Sequence, residues 1–127
     1  MSKKVRVKSI VSLEKLYEEK EKRQLIINPV NTLAVNTLPS KITFVLSFII
    51  SGIDKGTHTF AIAVKEHRTG EVVLSIPERP FQGTLPGVNA QVGIDIENAL
   101  VKAAGQYDIF FNLDGEIFTD DFEIEKI

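Results

Sequence analysis

Two stretches of alternating residues, back to back and joined by a glycine-bounded turn, constrain this chain more than anything else in it. In the first, Ile42, Phe44, Leu46, Phe48 and Ile50 fall on every second position. Side chains two apart share one face of a strand, so these five make a single apolar stripe. After Gly52-Ile53-Asp54-Lys55-Gly56, the residues His58, Phe60, Ile62 and Val64 alternate with Thr59, Ala61 and Ala63. The spacing predicts a long strand over 41–51, a return strand over 57–66 and a further strand over 71–76 behind the turn Arg68-Thr69-Gly70.

The same pattern recurs downstream. Val92, Ile94 and Ile96 alternate with Gln91, Gly93 and Asp95, and residues 98–104 read as one helical turn or a bulged connection. Asp114-Gly115 is a strong hairpin signal, because a type I′ turn needs positive φ at both central residues. It joins a strand at 107–113 to a return over 116–119, and Phe122 and Ile124, alternating with Asp121, Glu123 and Glu125, mark the last strand. Upstream, Val5, Val7 and Ile10 suggest a short first strand. Ser12 then caps a short helix predicted up to Arg23, with a charged hairpin or a loop as alternatives. Leu25-Ile26-Ile27 ends at Asn28-Pro29, and residues 31–39 read as an extended connection or edge strand. Seven to nine short strands with turns between them predict an all-β, antiparallel, immunoglobulin-like or C2-like β-sandwich. No linker-like stretch divides it, so residues 1–127 read as one domain. The expected core is Phe44, Leu46, Phe48, Phe60, Ile62, Val92, Ile94, Ile96, Tyr107, Ile109 and Phe111.

Charge is unevenly spread. Residues 1–35 hold eight basic and four acidic side chains, whereas residues 95–127 hold two basic and nine acidic ones. Ends that offset one another would explain this, as would an acidic face for a basic partner. The net charge of −2 gives no general reason to expect nucleic acid. With no cysteine there is no disulfide or thiolate chemistry, in keeping with a reducing cytoplasm. No secretory signal pattern and no membrane span are expected.

Catalytic signals are weak. His58 and His67 sit nine positions apart on one strand, roughly 30 Å if it is straight, so they share no site within a subunit. His58, on the apolar parity, reads as a hydrogen-bonded structural histidine. The acids Asp114, Glu116, Asp120 and Asp121 match no calcium-loop spacing, and Asp114 is accounted for by its turn. Asp95, Glu97 and Asp108 could pair only if their strands are neighbours. No phosphate loop or nucleophile elbow occurs. Tyr107, following Gly105, reads as a corner tyrosine bonded back to the backbone. No metal and no cofactor are expected.

The stretch PERPFQGTLPG at 77–87 stands apart, with three prolines and two glycines in eleven residues. It predicts an irregular loop. Beside it, Glu71 to Ile76 is a nearly uncharged strand. If that strand is an edge, Phe81 and Leu85, flanked by Glu78 and Arg79, become candidate binding residues for a protein partner or a second copy.

Two stretches carry a resemblance: GTHTF at 56–60, followed by Glu66 to Gly70, and GQYDIFFNLDG at 105–115. With Leu25 to Pro29 and Pro39 to Phe44 they resemble, over residues 24–126, an uncharacterised family of small β-sandwich proteins found in bacteria and their prophages. The resemblance implies the sandwich fold and no catalytic or binding residue. The expected function is a non-catalytic, cytoplasmic binding module that recognises its partner by a sheet edge or the 77–87 loop. A phage accessory protein that captures a host-defence component, and a small enzyme with an unrecognised site, are the alternatives.

Overall fold

Alternation of the two central strands is what closes the core. In the computed structural model, which describes residues 5–19, 23–83 and 90–127, nine strands form among those residues and no helix does. They are β1 (Arg6–Glu18), β2 (Arg23–Val30), β3 (Thr32–Val35), β4 (Ser40–Ser51), β5 (Gly56–Glu66), β6 (Val72–Gly83), β7 (Ala90–Val101), β8 (Gly105–Leu113) and β9 (Glu116–Lys126). One sheet has the order β2-β1-β4-β7, and the other β3-β9-β8-β5-β6. The pairings are antiparallel except β3 with β9, which is parallel. The chain is therefore an all-β sandwich.

The core lies between the two sheets. Phe48 stacks on Phe111 at 4.2 Å between ring centroids, and Phe60 lies 5.9 Å from Phe111. Such offset aromatic contacts add to the apolar area they bury. Of the expected core only Ile94 is half-buried, packed at the margin; the rest are buried. In β4, Val45 and Ser47 are buried too, although they fall on the other parity. This strand lies inside its sheet, between β1 and β7.

Two expectations are corrected, and near Asn98 the bulged alternative is the one realised. Residues 12–18 belong to strand β1, not to a helix, and pair with β2 up to Glu18–Arg23. Leu13 and Leu16 are 50% and 57% exposed, so their helix-like spacing builds no buried face. The stretch from Pro77 to Gly83 is strand, not loop, and continues β6. Proline is tolerated there because β6 is the last strand of its sheet. In β7 the burial phase shifts between Ile96 and Ala99, where Asn98 takes a φ of 55° and the register with β4 slips. That is a bulge, and it moves Ala99 and Val101 onto the buried face.

Candidate functional site

The free edge of β6 follows from hydrogen-bond bookkeeping. In an antiparallel ladder, successive residues turn their N–H and C=O groups to opposite sides. The His67 N–H donates to the Gln106 carbonyl and the Glu66 N–H to the Glu71 carbonyl, so β5 bonds β8 and β6 at alternate residues. Ile62 and Val64 share the parity of Glu66, and they stand opposite Ile76 and Leu74. Leu74 and Ile76 therefore bond inward to β5, and Ser75, opposite Ala63, directs its backbone groups outward; Val73 falls at the register shift between Val64 and Lys65, where the alternation breaks. Further along, Pro80 lies opposite Thr59, on the outward parity. A proline there removes a donor from the edge, as Pro77 does at the register shift, so this half is blunted. Among the described residues, the open stretch is Val72 to Ile76.

Next to it lies a shallow notch bounded by both sheets. Val72 from β6 and Leu100 from β7 line it, 52% and 46% exposed. Lys102 Nζ donates to Glu71 Oε1 at 2.9 Å across the same seam. Uncharged strand edge and apolar notch thus adjoin, with the charges at the rim.

The four candidate residues fare differently. Glu78 and Arg79 are exposed. Phe81 is half-buried and packs inward, its ring 5.7 Å from Phe60 at 65° and 5.7 Å from the His58 imidazole. It closes the end of the core more than it offers an anchor. Leu85 lies outside the described residues.

Below Phe81, His58 is hydrogen-bonded as its parity suggests, to partners that the sequence did not reveal. His58 Nδ1 lies 2.6 Å from Asp114 Oδ2, and its Nε2 lies 2.7 Å from the Asp54 carbonyl. A carbonyl only accepts, so Nε2 carries a proton; a carboxylate at Nδ1 favours a proton there as well. Both contacts favour the imidazolium over the neutral ring. The hydrogen bond to Asp114 is the larger cause and that to Asp54 the next; together they raise the His58 pKa above 6.5 against a smaller opposing effect of burial. Burial pushes the Asp114 carboxyl up, but the Thr59 N–H and His58 outweigh it and leave its pKa below the ordinary 3.8. Thr59 N donates to Asp114 Oδ1 at 2.9 Å, and Asp114 N donates to the Thr59 carbonyl at 3.0 Å. One hairpin residue, with φ of 51° at the β8–β9 turn, thereby clamps the start of β5 and the β4–β5 turn.

His67 Nδ1 lies 2.7 Å from Asp108 Oδ2, the arrangement of a histidine–aspartate dyad. Its side chain is 60% exposed on a turn. Asp108 belongs to β8, whereas Asp95 and Glu97 belong to β7 in the other sheet, so these three acids do not line neighbouring strands. Among the described residues no group of three or more histidines and acids is placed to hold a metal ion. Tyr107 is fully buried, and its hydroxyl donates to the Ala103 carbonyl at 2.5 Å, a corner tyrosine as its sequence context suggests. No described helix is long and apolar enough to cross a membrane.

No family model matches the sequence, and no curated protein matches it. Solved structures do share the fold. A β-glucosidase from Listeria innocua in complex with glucose superposes with a TM-score of 0.55 at 9% identity, over 97% of this chain and 16% of that one. The β-glucosidase EmGH1 from Erythrobacter marinus gives 0.52 at 7% identity, over 96% of this chain and 15% of that one. The chain thus spans about one sixth of the length of these enzymes, and at such identities the likeness is one of fold.

Proposed function

We propose that this sandwich is a non-catalytic interaction module that binds an extended protein segment, from a partner or from a second copy, by adding it as a strand to β6 at Val72–Ile76. The observation that carries this reading is the outward-facing backbone of Ser75, next to the register shift at Val73, on the last strand of its sheet among the described residues. Main-chain bonds supply the affinity of such an addition, and neighbouring side chains supply the selectivity. Here Val72 and Leu100 offer the apolar contact. The prolines limit the site to five residues, shorter than the 71–87 surface expected from the sequence.

The chemistry of the histidines favours binding over catalysis. His58 faces an acceptor at each ring nitrogen, an arrangement that favours its protonated form and makes it a poor general base. His67 sits on an exposed turn, outside the notch at the seam of the sheets. A cytoplasmic setting and a role in a bacterium or its phage remain part of the same proposal, resting on the cysteine-free composition and the resemblance noted above.

Replacing Ser75 with proline tests the reading. Its N–H points away from β5, so Ser75→Pro removes an edge donor and leaves the ladder intact. Parent and variant are compared by light scattering and by capture from bacterial lysate, with circular dichroism to verify folding. A dimer or captured protein that is lost in the variant at unchanged melting temperature supports strand addition. Equal association of both, or a parent that stays monomeric and captures nothing, counts against it.

A further inference from the structure

The flank opposite β6 is open in another way. Strand β3 pairs with β9 only from Glu123 to Lys126, and β2 pairs with β1 only from Val11 onward. The chain crosses from one sheet to the other at Asn31, whose carbonyl accepts the Glu123 N–H at 3.0 Å. Among the described residues, β9 from Glu116 to Phe122 therefore has no partner on its outer side. The two-residue hairpin pairs Leu113 with Glu116, so Ile117, Thr119 and Asp121 turn their backbone groups outward. Between this half-edge and β1 lies a cleft of about 360 Å³, roofed by Pro29, Val30 and Asn31.

The cleft has an apolar floor and one charge of particular placement. Val11, Ile109 and Phe122 line it, all buried. Asp120 lines it too, and lies on the inward parity of β9, two positions from Phe122, yet is exposed. An acid on the inward side of a strand edge repels an apolar strand, which would bury the carboxylate unpaired. A strand that brings a cation to that point meets no such penalty. The balance of charge agrees. Glu116, Asp121 and Glu123 are exposed on the same strand, and among the described residues Lys8 is the one basic side chain lining the cleft. Moreover, Asp120 Oδ1 accepts the Asp121 N–H at 2.8 Å, so the acid itself satisfies an outward edge donor. An incoming carbonyl would take over that N–H and release the carboxylate for a cation.

We infer that this cleft binds a lysine- or arginine-bearing extended segment of another protein, added to the free half of β9 with its cationic side chain against Asp120. The site is separate from the β6 edge and stands or falls without it.

The probe is the peptide acetyl-TVKVT-amide, with acetyl-TVEVT-amide as its charge-reversed counterpart, titrated into the isotope-labelled full chain and followed by amide NMR shifts. The lysine peptide should give saturable shifts at Ile117, Thr119, Asp121 and Asn31. The glutamate peptide should bind about tenfold more weakly or worse. Asp120→Asn keeps an acceptor for the Asp121 N–H, and should bring the lysine peptide down to the level of the glutamate peptide. The two-peptide comparison on the parent serves if that variant folds poorly. Equal binding of both peptides, no saturable shift with either, or shifts confined to Val73 and Ser75 would overturn the inference. Only the last of these bears on the β6 edge, and it would favour it.

Discussion

His58 and Asp114 meet at 2.6 Å although 56 positions separate them in the chain. The contact exists because β5 lies beside β8, which brings the β8–β9 turn against the first residues of β5. It ties two turns together at the end of the sheet that also holds Phe81.

The pH dependence of that contact has a definite sign. The His58 pKa is raised on folding, so its contribution is present in full below pH 6.5 and fades as pH rises through the higher folded value. The Asp114 pKa is lowered, so its contribution is present above 3.8 and fades as pH falls through the lower folded value. Asp114→Asn keeps an acceptor for Thr59 and removes the charge. Parent and variant should differ most between these two pH values, by about 1–2 kcal/mol for a partly solvated charged hydrogen bond. The difference should shrink toward alkaline pH. Urea titrations showing a constant difference from pH 5 to pH 9 would contradict the imidazolium.

Gly83 presses on the same cluster. A Cβ at this position would collide with the Asp54 carbonyl and come within 3.1 Å of the His58 ring. Gly83→Ala should therefore push Asp54 away from His58 and cost about 1–3 kcal/mol, as overpacking does. Its NMR titration should also show a lower His58 pKa than the parent. An unchanged melting temperature and titration would mean that this end of β6 yields freely.

Phe48 tests the core. It is fully buried and stacked on Phe111. Phe48→Ala should cost about 3–5 kcal/mol in denaturant titration. A loss below about 1 kcal/mol would place Phe48 outside a well-packed core, since buried truncations of this size cost several times more.

Much of this architecture is legible in the sequence, because period-two alternation survives wherever one face is buried and the other is not. The stripes of β4, β5 and β8 and the turn at Asp114-Gly115 are plain for that reason. Strand β1 is obscured. Its second half pairs with β2 outside the core, where Leu13 and Leu16 stay exposed and impose no alternation. The second half of β6 is hidden by Pro77 and Pro80, which read as a loop unless the strand is known to be an edge. The His58 cluster is invisible for a different cause. Asp114 already has a local reason to exist in its turn, and nothing local signals a partner fifty-six positions away. Open edges likewise belong to topology: only the order of strands tells which backbone groups go unpaired.

Amide hydrogen exchange along β6 tests the central claim most directly. In the purified protein at low concentration, Leu74 and Ile76 bond inward to β5 and should be protected. Ser75 between them should exchange at a rate near that of exposed loops. Equal protection of Leu74, Ser75 and Ile76 would mean that the edge is already covered, and would contradict β6 as an open site for strand addition.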